Sequence, residues 1–120
     1  VNPAPFEVKL GEIEHGIRTI SVRGELDLST APQLEGPLDQ ALDGGKASLL
    51  IDLSQCEFID STGIALIVRA WQRLDSGENG RALVLCSQND QVRRVLEITG
   101  LERSIPVHQT RDEALAALSA

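Results

Sequence analysis

The run Ser48-Leu49-Leu50-Ile51-Asp52-Leu53 is a short, almost wholly apolar segment bounded by Gly44-Gly45 and Ser54-Gln55, and it reads as a strand covered by other elements. Beyond it Ile64, Ile67, Val68, Trp71 and Leu74 recur at spacings of three and four, which places them on one face of a helix. A covered strand that feeds a one-sided helix brings the apolar face of that helix against the sheet. The joint between them, through residues 54–62, is acidic and rich in hydroxyls, and the helix is expected to begin near Asp60 or Ser61. Both are good N-cap types, because a side-chain oxygen can accept from a first-turn amide that has no partner of its own.

The same alternation extends along the chain. A proline-spaced arm at 1–5 opens it and is expected to be flexible. Strands are expected at 6–10 and 17–23, paired as an antiparallel hairpin. Ile20, Val22, Gly24, Leu26 and Leu28 alternate with Thr19, Ser21, Arg23, Glu25 and Asp27, so one face is covered and the other wet. Thr30-Ala31-Pro32-Gln33 fits a capping box, and Leu34, Leu38, Ala41 and Leu42 give the stripe of a helix that Gly44-Gly45 stops. After a turn at 77–80, a strand at 82–86 leads to a helix capped by Asn89 or Asp90 and ended by Gly100. A weak edge strand at 105–107 and a second capping box at Thr110-Arg111-Asp112-Glu113, opening a last helix, complete the chain.

The expected fold is therefore α/β: a small mixed, mostly parallel sheet, made of an N-terminal antiparallel hairpin and then repeated strand-helix units. Right-handed crossovers between neighbouring strands put every helix on one face. The strands near 48–53, 82–86 and 105–107 should run parallel to the second strand. Loops leaving the carboxyl ends of parallel strands gather at one edge and commonly carry the site. Here they are residues 27–30, 54–62 and 86–90, all acidic and hydroxylated.

Composition narrows the partners. With 120 residues the chain fits one domain, spanning 1–120. Phe6, Phe58 and Trp71 are the only aromatic residues, too few for a base-stacking surface, and a formal charge of −7 opposes attraction to nucleic acid or anionic lipid. The longest apolar run, from Ile64 to Val68, is far too short to cross a bilayer, and the first residues lack the pattern of a signal peptide. Cys56 and Cys86 are too few for a disulfide framework and lack zinc-site spacing, which points to reduced thiols and a cytoplasmic setting. Both cysteines should lie near the carboxyl edge, Cys56 in the turn and Cys86 at a strand end. Gly77-Glu78-Asn79-Gly80 has neither the spacing nor the lysine of a phosphate-binding loop, so no cofactor or metal is expected.

Four segments, in order and at the right spacing, resemble the STAS-domain family: Gly24-Glu25-Leu26-Asp27 with Thr30-Ala31, Asp52-Leu53, Phe58-Ile59-Asp60-Ser61-Thr62-Gly63, and Val92-Arg93-Arg94-Val95-Leu96 with Thr99-Gly100-Leu101. The chain is most similar to the stand-alone anti-sigma-factor antagonists of that family. The resemblance implies that Ser61 is phosphorylated by a cognate anti-sigma factor serine kinase, with Thr62 as the alternative acceptor. The unmodified form would capture that kinase and free a sigma factor, and a serine phosphatase would reset the switch. The carboxyl-edge residues Asp27, Ser29, Thr30, Asp60, Ser61, Thr62, Gly63, Ser87 and Asn89 are then the expected partner surface.

On the local residues alone, Asp60 and Ser61 read equally as helix caps. A phosphoryl group on Ser61 would meet first-turn amides and the positive end of the helix dipole, while adding roughly −1.5 to −2 charges beside Asp27 and Asp60. Two alternatives stand beside the switch. A scaffold or sensor role in a larger assembly would call for a sensor domain not seen in these residues. A small serine hydrolase would use Ser61, Asp90 and His108, but Ile59 stands where the first glycine of a nucleophile elbow belongs.

Overall fold

The computed structural model describes residues 5–43, 45, 47–75 and 81–119. Pro5 excepted, the expected N-terminal arm lies outside these residues, as do Gly44 of the helix stop and the turn at 77–80. The elements are β1 (Glu7–Leu10), β2 (Ile17–Leu26), α1 (Ala31–Leu42), β3 (Ser48–Ile59), α2 (Ser61–Asp75), β4 (Leu83–Cys86), α3 (Asp90–Ile98), a 3-10 turn (Leu101–Arg103), β5 (Val107–His108) and α4 (Arg111–Ser119). The sheet runs β1-β2-β3-β4-β5, antiparallel between β1 and β2 and parallel thereafter. Successive strands are neighbours, as expected. Pro106 precedes the two-residue edge strand β5 and gives its carbonyl to the Leu85 amide at 2.9 Å.

The strand pleat sorts the core into two layers. Ile20, Val22 and Leu26 of β2, Leu49, Ile51 and Leu53 of β3, and Leu83 and Leu85 of β4 point to one face, where α1, α2 and α3 cover them with Leu34, Leu38, Ile67, Leu74, Val92 and Leu96. The opposite face buries Ile17, Leu50, Val84 and Cys86 beneath Ala114, with Leu115 and Leu118 packed alongside. The helices thus lie mainly on one face, but α4 lies on the other. A crossover helix is bound to its side by the parallel strands it joins. α4 follows β5 and is no crossover between the parallel strands described here, so the apolar stripe of Leu50 and Val84 decides where it packs. Arg111 pins its first turn to the sheet, donating from Nε to Asp52 Oδ2 at 2.9 Å and from Nη2 to Ser21 Oγ at 2.7 Å.

β3 is also longer than its apolar run. It continues through residues 54–59, which the sequence pattern assigned to a turn. The register against β2 slips twice: Ser21 faces Asp52 and Arg23 faces Gln55, then Gly24 faces Cys56 and Glu25 faces Phe58. Each slip adds one residue to β3, which is the signature of a bulge. Because of them the inward residues Leu53, Cys56 and Ile59 fall three apart and not two. A strand with that period is indistinguishable by pattern from a turn.

Candidate functional site

The extra length of β3 carries the chain to the carboxyl edge and delivers Asp60 against the end of β2, where its amide donates to Leu26 O at 3.1 Å. Asp60 is the cap of α2: its Oδ1 accepts from the amides of Thr62 at 2.9 Å and Gly63 at 3.3 Å. Its second oxygen accepts from the Leu28 amide at 3.3 Å. One carboxylate therefore holds the start of α2 and the β2–α1 loop together.

Gly63 lets the helix start so close. A Cβ there would stand 2.7 Å from Leu26 Cγ and 2.9 Å from Ile59 Cγ1. Gly24, at φ +100°, allows a similar approach of the backbone of Pro5, whose carbonyl oxygen would be 2.6 Å from an added Cβ.

With Asp60 as cap, Ser61 is left over. It is the first residue of α2 and exposed, and among the described residues nothing hydrogen-bonds its hydroxyl. Thr62 is half-buried and its hydroxyl is likewise unengaged among them. The amides expected to greet an anion at this terminus are in part already taken, since those of Thr62 and Gly63 bind Asp60. What remains for an anion is the dipole of a 15-residue helix and its outermost turn.

The neighbouring loop is built by Asp27. Its Oδ1 accepts from the Ser29 hydroxyl at 2.7 Å and from the amides of Ser29 at 3.0 Å and Thr30 at 3.1 Å, while its carbonyl accepts from the Ala31 amide at 2.8 Å. The Ser29 hydroxyl above all, with the two amides, holds the Asp27 carboxyl below its ordinary range. The capping box expected at Thr30 does not form. The Thr30 hydroxyl donates to Glu25 O at 2.7 Å and accepts from the Asp27 amide at 2.9 Å, because Asp27 already closes the turn. At Thr110 the box does form in part, with the hydroxyl accepting from the Glu113 amide at 3.1 Å.

The third loop stands apart. Asn89 caps α3, accepting from the Val92 amide at 3.0 Å, and lines an open cleft of about 440 Å³ with Arg23, Gln55 and Glu57 that Ser61 does not line. Ser87, expected at the partner surface, is fully buried, and its hydroxyl accepts from the Asn89 amide at 3.2 Å. It shapes the loop from beneath because β4 ends too deep in the sheet to expose it. The structure thus brings Asp27, Ser29, Thr30, Asp60, Ser61, Thr62 and Gly63 together, and sets Asn89 in a neighbouring cleft.

Two residues at this edge escaped the sequence pattern. Leu28 was expected to continue the covered face of β2, but the strand ends at Leu26 and Leu28 is 75% exposed. Phe58 stands 42% exposed on β3. The bulge that follows Gly24 was the only signal that could have turned Phe58 outward, and it leaves no mark in the residue pattern.

Cys56 sits in the strand and not in a turn, buried in the three-helix core, whereas Cys86 is buried in the layer under α4. The thiols therefore face away from each other across the sheet. Burial, foremost, pushes both up, Cys86 to about 12, where its thiol also donates to Asp52 Oδ1 at 3.1 Å. No hydrogen bond among the described residues joins Ser61, Asp90 and His108, and those residues hold no group of three His, Cys, Asp or Glu able to bind a metal. No helix among them is long and apolar enough to cross a membrane.

The family model for the STAS domain matches residues 11–114. The chain belongs to the STAS-domain family. A curated relative, the anti-sigma-B factor antagonist of Staphylococcus aureus, is 32% identical over 90 residues, covering 75% of this STAS chain and 82% of its own. An anti-sigma F factor antagonist of Paenibacillus polymyxa is 26% identical over 110 residues, covering 89% and 92%. Among solved structures, an anti-sigma factor antagonist from Mycobacterium paratuberculosis superposes with a TM-score of 0.88 at 30% identity, over 99% of this chain and 98% of that one. The five-strand sheet and four helices described here therefore match the fold of that solved antagonist over nearly its whole length.

Proposed function

We propose that this STAS domain is an anti-sigma factor antagonist whose unphosphorylated form binds a serine-kinase anti-sigma factor in the cytoplasm, freeing a sigma factor, and is switched off when that kinase phosphorylates Ser61. The observation that carries the proposal is the division of labour at the start of α2. Asp60 supplies the cap, so Ser61, the first helical residue, keeps an exposed hydroxyl that nothing among the described residues engages. A hydroxyl without a structural task can accept a phosphoryl group without unfolding the helix. The names of the relatives support the antagonist role.

The switch works by charge. Asp27 and Asp60 already make the edge anionic, and a phosphoryl group beside them adds roughly −1.5 to −2 charges at neutral pH. A partner surface complementary to the neutral hydroxyl is then repelled. A serine phosphatase would restore the binding form by removing the group.

Intact-mass measurement after incubation with the cognate kinase and ATP tests the assignment. One phosphate should appear on wild type and none on Ser61→Ala. A phosphate retained by Ser61→Ala and lost from Thr62→Val would move the acceptor to Thr62, and no phosphate on any form would overturn the switch.

A further inference from the structure

Leu28, 75% exposed, and Phe58, 42% exposed, are large apolar side chains in the two segments that meet at Asp60, at the edge that carries Ser61. Neither is on a loose segment. The Leu28 amide is tied to Asp60 Oδ2 at 3.3 Å, and the preceding Asp27 is the hub of a turn with three donors on one oxygen. Phe58 lies in β3 opposite Glu25, and its carbonyl accepts from the Cys56 thiol at 3.2 Å. A leucine on a slack loop can fold back onto apolar neighbours, but here hydrogen bonds fix the backbone at both residues, with the side chains 75% and 42% exposed. The other two exposed large apolar residues, Ile13 in the β1–β2 turn and Ile98 at the last turn of α3, lie toward the opposite, amino edge of the sheet.

The two segments that carry these side chains are acidic, and the nearest cation along the strands, Arg23, faces Gln55 and lines the neighbouring cleft with Glu57. Residues 25–30 and 56–63 contain Glu25, Asp27, Glu57 and Asp60 and no lysine or arginine. A complementary surface therefore offers an apolar recess with a cationic border. Apolar anchors flanked by charge are the arrangement that concentrates binding energy in a few residues while the charges set register and partner choice.

We propose that Leu28 and Phe58 are the apolar anchors that seat the anti-sigma factor on this edge, inserted into a recess of the kinase bordered by lysine and arginine. This rests on the function proposed above and names the part of its surface that grips.

The test uses the full chain. Purified serine-kinase anti-sigma factors of the source organism are titrated calorimetrically into wild type to find the one that binds, and that kinase is then titrated into Leu28→Ala, Phe58→Ala, Leu28→Met and Ile98→Ala. Leu28→Ala and Phe58→Ala should each weaken binding about tenfold or more, the loss expected of a buried anchor. Leu28→Met, which keeps apolar volume, and Ile98→Ala, equally exposed at the far edge, should stay within about threefold. Leu28→Ala, Leu28→Met and Ile98→Ala should keep the wild-type melting temperature, because those side chains are 75% exposed, whereas Phe58→Ala gives up the buried part of its ring and should melt a few degrees lower, so all titrations are run well below the transition. Binding of either alanine variant within about twofold of wild type overturns that residue's anchor role. Ile98→Ala weakening binding as much as Leu28→Ala would relocate the contact and overturn both. Failure of every kinase to bind wild type is a different result, and it overturns the antagonist function itself.

Discussion

Replacing Gly63 by alanine should destabilise the domain, although alanine is the better helix former. The new Cβ would stand 2.7 and 2.8 Å from Leu26 Cγ and Cδ2 and 2.9 Å from Ile59 Cγ1, all closer than carbon atoms tolerate. Leu26 and Ile59 are 0% and 2% exposed, so neither can swing into solvent to make room. Overpacking of this kind costs about 1–3 kcal/mol. The opposing gain from removing a helical glycine is at most about 1 kcal/mol in a helix interior, and less in a first turn. The clash wins, by about 1–2 kcal/mol, and the melting temperature should fall by about 4–10 °C.

Thermal unfolding followed by circular dichroism measures this directly, with Gly36→Ala as the contrast. Gly36 lies on α1 with nothing beyond its chain neighbours within 4 Å of an added Cβ, but Pro37 follows it and disfavours a helical residue that carries a Cβ, so that change should stay within about 1 kcal/mol of wild type. A Gly63→Ala variant as stable as wild type would refute the claim that close packing of α2 on β2 and β3 fixes the position of Ser61.

Four further outcomes follow from the same contacts. Asp60→Ala removes the cap of α2 and the tie to Leu28, and should cost about 1 kcal/mol while speeding amide exchange at Leu28, Thr62 and Gly63; unchanged exchange at Leu28 would refute the tie. Arg111→Ala takes away a half-exposed partner of Asp52, should cost about 1 kcal/mol, and should loosen α4 and leave α2 unchanged in exchange rates; equal loosening of both would contradict it. Burial raises the Asp52 carboxyl, but the Ser54 hydroxyl and amide, the Cys86 thiol and the Arg111 charge outweigh it, so its folded pKa lies below 3.8. Its stabilisation is present above pH 3.8 and lost as pH falls through the folded value, so urea midpoints of wild type and Asp52→Asn should converge in acid below that pH; a constant gap down to the end of acid unfolding would contradict this. Both thiols should resist alkylation until the protein unfolds, because they are buried and held protonated.

The order of elements and the sheet topology were legible because each strand and helix carries its own period and each junction its own cap or glycine. Three features were not. The continuation of β3 through Ile59 depends on two bulges, and the inward spacing of three that they create in Leu53, Cys56 and Ile59 has no strand period to be read. The placement of α4 depends on which apolar face is left bare after three crossovers, a tertiary fact that the residues of α4 do not encode. The exposure of Leu28 depends on where β2 stops, and the alternation from Ile20 to Leu26 runs smoothly past that point. At the site, residue types marked the loops of Asp27, Asp60 and Ser61 as acidic and hydroxylated, and on them alone Asp60 and Ser61 read first as helix caps; the resemblance to the STAS family is what singled out Ser61. Which of Asp60 and Ser61 would cap was a question of angles, and the answer, Asp60, is what leaves Ser61 free.

Calorimetric titration of wild type, Ser61→Ala and Ser61→Asp against the cognate anti-sigma kinase tests the switch most directly. One unit of negative charge within about 5 Å of an acidic group in the docked interface, at an effective dielectric near 20, is opposed by about 3 kcal/mol. Ser61→Ala adds no charge and removes no cap, and should bind like wild type. Ser61→Asp should fold normally and bind on the order of a hundredfold more weakly. Equal affinities for all three proteins would contradict the switch and leave Ser61 as an ordinary first residue of a helix.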